Sequence, residues 1–393
     1  MKPPLSAKDL FQLPNGFALI AVDDQSRQIV SVGWKETHTI AEDGTCGLAE
    51  VQEPFDFEEA TDPDGVSAES EFVPYKLATD LVVFGSAWAP QGRAITEMVA
   101  AVQLGQVRKE VIVLGSRSCT FRENRPPIFS EPQPFETMPL SYNLAYGGVD
   151  AIEMPPPETL LDFLSPYPGA YPRNDIGKGY VIYNNPDRVE GLELPNLEDP
   201  VDRLTPERLI VGSPANWWKQ PMPQCFEWFS PGWYPRVVHL GCVPDGLPDD
   251  DRLVPEVQRG YLDPGHKRFC EQASLEEKLL FSFTNGASPG LSFPYLRGDE
   301  VIHLEGMRPE GAWSIRLPGK VPEMLLRFRG ETTQLPVVPQ TVLIETEEAK
   351  LTLVWRGWWY PTVQLPRRFP TIKNPDVDPL EGIDISINGT ALH

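Results

Sequence analysis

Two histidines and two cysteines fall within one window of the chain, His239-Leu-Gly-Cys242 and His266-Lys-Arg-Phe-Cys270. Zinc takes four such ligands tetrahedrally, so the ligand count suits a structural site. The spacing is unfamiliar, no Cys-x-x-Cys occurs, and small buried cysteines beside loop histidines account for the same residues. No metal is therefore expected, with these four as the ligand set should one bind. Phosphate chemistry fares no better. Gly177-Lys178-Gly179 lacks the Ser or Thr that follows the lysine of a phosphate loop, and Pro172 stands where its first glycine belongs. Neither a Gly-x-Ser-x-Gly nucleophile elbow nor a Gly-x-Gly-x-x-Gly opening a helix is expected. Acid–base work needs two carboxylates with split pKa values in a cleft. With 56 acidic residues, pairs are too abundant to single one out. The expectation is a protein that is not an enzyme and carries no cofactor.

Binding chemistry has a stronger signal. Residues 216–236, NWWKQPMPQCFEWFSPGWYPR, hold Trp217, Trp218, Trp228, Phe229, Trp233 and Tyr234. Trp and Tyr bury much area with few rotors and dominate interface hot spots. These six rings are the expected partner-binding residues. The same rings also suit a sugar-stacking platform, which makes a carbohydrate-binding or carbohydrate-active β protein the alternative. Ahead of both stands a structural reading, in which the rings cover a sheet face and plug a poorly regular fold.

Whatever these residues do, β elements must position them. In Tyr295–Gly319, YLRGDEVIHLEGMRPEGAWSIRLPG, two strand-like runs flank a link with two glycines and a proline, as a hairpin connection should. Arg297, Asp299 and Glu300 at its entry read as a buried structural ion pair that anchors the turn. Phe17–Val22 and Arg27–Trp34 form a second expected hairpin. Leu81–Trp88, Ala94–Leu104 and Val107–Leu114 read as a three-stranded antiparallel meander. Met324–Arg329, Thr341–Glu345 and Leu351–Arg356 are further strands. The spacing of Ser274 and Glu277 predicts one capped helix near Ser274–Phe281.

Composition sets the frame. The 393 residues include 43 prolines, about twice the usual ~5% share, and 31 glycines. Helix interiors and central strands exclude proline, so many short elements and ordered loops must result. The fold class is mainly β, with antiparallel sandwich-like sheets, long Pro/Gly-rich loops and few short helices. Four regions are expected: an N-terminal antiparallel β region over 1–150, a Pro/Trp-rich, loop-dominated region over 151–290, a C-terminal β region over 291–360 packing on the first, and a tail over 361–393. Within the second, Met154–Pro172 reads as an insertion or lid. The net charge of −22 repels nucleic-acid phosphates and anionic membranes; it reads first as acidity that maintains solubility, with a basic protein partner as the sharper alternative. Five scattered cysteines, an odd number, and no signal peptide suit a cytoplasmic protein.

Several blocks resemble the bacterial family known as domain of unknown function 2169. They are YKLATDLVVFGSAWAPQG at Tyr75–Gly92, VRKEVIVLGSR at Val107–Arg117, and the Pro-Leu-x-Tyr and Gly-Gly pair within residues 135–150. Gly177–Tyr180 leading to Leu194–Glu198, then Tyr295–Gly319, then LTLVWRG at Leu351–Gly357 complete the series in family order. Pro339-Gln340-Thr341 departs from the family's usual Leu-Asp-Thr, and the Trp-rich stretch is particular to this chain. The resemblance implies a cytoplasmic adaptor-chaperone of type VI secretion. Such a protein binds a PAAR-domain protein, its toxic effector, or both, and helps load them onto the VgrG spike. No catalytic residue comes with the resemblance.

Overall fold

The computed structural model describes residues 5–6, 15–62, 65–150, 169–237, 281–365, 380 and 382–388. In chain order its main strands are β1 (Gly16–Val22), β2 (Gln28–Ile40), β3 (Cys46–Leu48), β4 (Thr79–Phe84), β5 (Glu97–Leu104), β6 (Val107–Leu114), β7 (Leu197–Glu198) and β8 (Ser292–Phe293). They continue with β9 (Val301–Glu305), β10 (Trp313–Arg316), β11 (Glu323–Phe328), β12 (Glu331–Gln334), β13 (Val337–Glu345), β14 (Lys350–Trp359) and β15 (Ile383–Asn388). Among the described residues the helices are short, such as α1 (Pro186–Val189), which Asn185 caps by accepting from the Asp187 amide. The fold is mainly β, with several antiparallel sheets.

The largest sheet runs β8-β4-β13-β14-β2-β1, with β3 pairing β2 as well. Its inner strands are buried on both faces, as the near-continuous burial of β2 and β14 records. A strand covered on both sides should be apolar throughout, yet β2 reads QIVSVGWKETHTI. Two of its buried polar residues are held by partners, whereas the Ser31 hydroxyl has no hydrogen-bond partner among the described residues. Lys35 reaches Asp56 at 2.8 Å and Glu71 at 3.0 Å. On the opposite face Glu36 accepts from the indole N–H groups of Trp34 and Trp355. The second sheet runs β7-β6-β5-β9-β10. Its β9 and β10 alternate buried and exposed, the mark of one covered face. The β5–β6 hairpin turns on Gly105, whose φ of +59° is the left-handed conformation that a two-residue loop requires. A third sheet orders Leu5–Ser6, β15, β11 and β12.

One core joins the three sheets: Val342, Leu353 and Trp355 of the first, Val102, Ile302 and Ile315 of the second, Leu326 and Ile385 of the third. A second core, with Tyr146, Tyr171, Tyr180, Trp217 and Tyr234, lies in the proline-dense middle of the chain.

Three expectations change. The meander is only a hairpin, because β4 leaves β5 and lies parallel to β13, Asp80 opposite Thr341. Its run of five buried residues suits an interior position in the larger sheet better than a half-solvated meander. The stretch expected as a tail contributes β15, which pairs β11 from Glu323↔Asn388 to Phe328↔Ile383. Its alternation of Ile383, Ile385 and Ile387 supplies one apolar face. The ion pair at the β9 entry is exposed, not buried: Arg297 and Asp299 meet at 3.1 Å with 80% and 53% of their side chains open. The turn is held instead by the Glu300 carboxylate, which accepts from the amides of Arg297, Gly298 and Asp299. The helix near Ser274–Phe281, apart from Phe281, and most of Met154–Pro172 lie outside the described residues. Among the described residues no helix is long and apolar enough to cross a membrane.

Candidate functional site

The six rings of the Trp-rich segment do not form an open surface. Trp217 and Tyr234 stack edge-on at 5.0 Å inside the second core, with the Arg173 guanidinium 5.1 Å from the indole. Phe229 and Trp233 pack with Tyr142 in the main core, and the Trp233 indole N–H donates to Asp175 at 2.9 Å. Trp228 is buried beside the Lys76 ammonium. Only Trp218 is half-open, under the Lys219 ammonium. Five of the six expected binding residues are thus pillars of the fold, and the segment spans two cores. Stacking on a sugar needs an open ring face, and Trp228 and Trp233 present none.

Polar knots fix these pillars. Asp80, fully buried, accepts from Lys76, Asn285, Ser292 and the Gly286 amide, all at 2.7 to 3.0 Å. Arg236 pairs with Glu69 and donates to the carbonyls of Phe229 and Phe283. Burial raises the Glu69 carboxyl, and the cations Arg236 and Lys76 oppose that rise.

One expectation about nucleophiles also changes. Gly286-Ala287-Ser288-Pro289-Gly290 does have Gly-x-Ser-x-Gly spacing. It is not an elbow. The residue after the serine must lend an amide N–H to an oxyanion, and Pro289 has none. Ser288 is fully buried, and its hydroxyl contacts Lys109 and Tyr142 while donating to the Cys225 carbonyl. It is a packing hub. Among the described residues no group of three His, Cys, Asp or Glu could hold a metal ion. The alternative zinc ligands His239, Cys242, His266 and Cys270 lie outside the described residues.

Among the described residues an open concave surface lies elsewhere, at one end of the large sheet. Two cavities of about 480 and 410 Å³ share Thr346 and Glu347, in the turn joining β13 to β14. The first lobe lies between Phe84, Pro139 and Leu343, the second between Trp88, Met307 and Trp313. The walls are pinned by backbone bonds. Thr346 donates to the Phe84 carbonyl, Ile40 to that of Ala349, and Trp88 to that of Gly306. Gly85 lies so close to the turn that a β-carbon there would fall 1.9 Å from Thr346 Oγ1.

Both lobes are acidic. Glu42, Glu227, Glu310, Glu345, Glu347 and Glu348 line them, and Arg308 is the one basic lining residue among the described residues. Ser86 donates to Glu347 at 2.6 Å. Behind the turn Lys350 gathers Glu53, Glu345 and Glu348 within 2.9 Å. Burial raises the Glu345 carboxyl despite that lysine. Arg308 stacks over Trp313 at 4.4 Å and reaches Glu310 at 3.2 Å. The Trp313 ring, 5% exposed, finds no acceptor for its N–H among the described residues.

None of these lining residues stood out in the sequence. Glu345-Thr346-Glu347-Glu348 was one acidic run among many, and Trp88 and Trp313 were single rings within strands. Their signal was positional: each lies at the end of a strand, where loops gather.

The model of the family described as an uncharacterized protein conserved in bacteria, DUF2169, matches residues 25–356. That span contains every residue lining the two lobes. No curated protein and no solved structure matches the chain.

Proposed function

We propose that this chain, which belongs to the bacterial family DUF2169, is a non-enzymatic cytoplasmic adaptor-chaperone of type VI secretion. It binds a PAAR-type protein or its effector and helps load it onto the VgrG spike. The observation that supports this reading is the pinned, acidic, aromatic-walled groove, whose chemistry is that of a surface for another polypeptide. A docking surface needs anchors of fixed orientation beside charges that choose the partner. Trp88, Met307 and Trp313 supply the first, and the glutamates of the β13–β14 turn supply the second. Loading precedes export, which places the work in the cytoplasm.

Co-expression with the PAAR-domain or effector protein encoded beside it is the test. A soluble complex is expected, with loss of effector delivery when the chain is deleted. Intact delivery from the deletion strain, together with no complex, would overturn the reading.

A further inference from the structure

We propose that the groove takes an extended, basic segment of the partner polypeptide, its cations on the glutamates and an apolar side chain between Trp88, Met307 and Trp313. This names the partner chemistry of the same groove and rests on its reading as a docking surface.

Charge is the first argument. Six glutamates face one arginine across two lobes, and Glu42, Glu310, Glu347 and Glu348 are open to solvent. Lys350 offsets part of that field from behind, and Arg308 is already engaged with Glu310. A nucleic acid or an acidic peptide would meet like charge, which costs affinity and slows encounter. A cationic segment would be steered in and then partly desolvated beside Phe84, Leu343 and Trp88.

Shape is the second. Each lobe is of ligand-cleft size, and the two are joined through Thr346 and Glu347. Two joined lobes suit consecutive side chains of one extended chain better than a single compact molecule. The walls are strands tied together by main-chain bonds, so little ordering cost falls on the groove itself.

The third is independent of charge. The Trp313 N–H is closed to solvent and lacks an acceptor among the described residues. An unmet buried donor is destabilising until it finds an acceptor. Its ring forms a wall of the second lobe. The proposal supplies a main-chain carbonyl of the bound segment as that acceptor, with the wall opening at the ring's edge, because an indole N–H lies in the plane of the ring and Arg308 covers only its face.

The test uses the purified full-length chain and two fluorescein-labelled decapeptides, one alternating Arg and Leu, the other Glu and Leu. Fluorescence anisotropy should show saturable binding of the first, weakened about tenfold or more between about 50 and 300 mM salt, and none of the second. The double variant E310K/E347K should lose about tenfold or more in affinity for the basic peptide at an unchanged melting temperature, and gain the acidic one. Trp313→Phe, which keeps the ring and removes the donor, should weaken binding by roughly threefold to tenfold. Should the charge reversal fail to fold, E310Q/E347Q serves, with the same loss expected and no gain.

Equal affinity of wild type and folded variants for the basic peptide would overturn the proposal, because the remaining acidic surface would then explain the binding. Equal binding of both peptides, or none of either, would overturn it too. A complex with the PAAR or effector protein that survives E310K/E347K unchanged would remove this groove assignment and leave the adaptor reading standing. If wild type makes no such complex and its deletion leaves delivery intact, the adaptor reading itself fails.

Discussion

The Trp-rich segment and the groove make opposite use of the same side chains. Between residues 216 and 236 the rings are dense, contact one another, and lie inside two cores. In the groove Phe84 and Trp88 are half-buried beside open space and stand among glutamates, with the buried Trp313 ring behind them under Arg308. Ring density therefore marks where a proline-rich chain lacks regular elements and needs large side chains to fill the gaps. Charge at strand ends marks where it meets something else. A sequence rich in Trp is not thereby rich in binding surface.

The comparison can be broken most directly by truncating one ring from each region. Trp233→Ala removes contacts with Tyr142 and Phe229 and the bond to Asp175, and should cost about 3–5 kcal/mol in urea unfolding. Trp88→Ala, only partly buried, should cost about 1 kcal/mol or less and be felt in partner binding instead. Equal losses of stability would erase the distinction between pillar and wall. Of similar size is Asp80→Ala, which strands the buried Lys76 ammonium and should cost about 3–5 kcal/mol, read as a falling melting temperature. Charges in the groove turn, such as Glu347, should tolerate neutralisation within about 0.5 kcal/mol.

A smaller contrast sharpens the β9 entry. Glu300→Ala frees three amides and should cost about 1–2 kcal/mol, whereas Arg297→Ala breaks only an exposed pair and should cost about 0–0.5 kcal/mol. Reversal of that order in thermal melts would restore the ion pair as the anchor. The smallest effect is one of pH, at the turn between β1 and β2. Burial works to raise the Asp23 carboxyl, but hydrogen bonds from Arg27, Gln25 and Tyr360 outweigh it and hold it below the usual 3.8. A lowered folded value contributes stability that is present above about pH 3.8 and lost as pH falls through it. Urea midpoints followed from pH 5 to 2.5 should therefore drop less steeply in Asp23→Asn than in wild type.

Much of the β architecture was readable from residue type. Alternation and glycine punctuation located β9 with β10, and β5 with β6, to within a few residues. Pairing across distance was not readable. Nothing local in Thr79–Phe84 distinguishes a meander strand from one that lies parallel to residues 341–345, because that choice is made by core packing from the far end of the chain. The groove was illegible for the same reason. Phe84, Trp88 and Trp313 come from separate strands and Glu347 from a turn, and only the folded sheet brings them to one place. The Glu300 cap was half-legible: the acidic pair was visible, but not that its partners are amides instead of the arginine.

The parallel pairing of β4 with β13 has a consequence for how the molecule comes to exist. Thr79 donates to the carbonyl of Pro339, 260 residues away, and Trp355 reaches Glu36 across 319. The interior of the large sheet is thus assembled from segments about 260 to 320 residues apart. At about 5–20 residues per second, a ribosome needs roughly 15 s to a minute between emitting β2 and emitting β14. During that interval β2 has no partner on one side, and Lys35, Glu36 and the apolar residues around them stand in water. The sheet closes only after β14 has been made. Nascent chains halted before residue 350 should therefore remain protease-sensitive through β2, while full-length chains become resistant in a single late step.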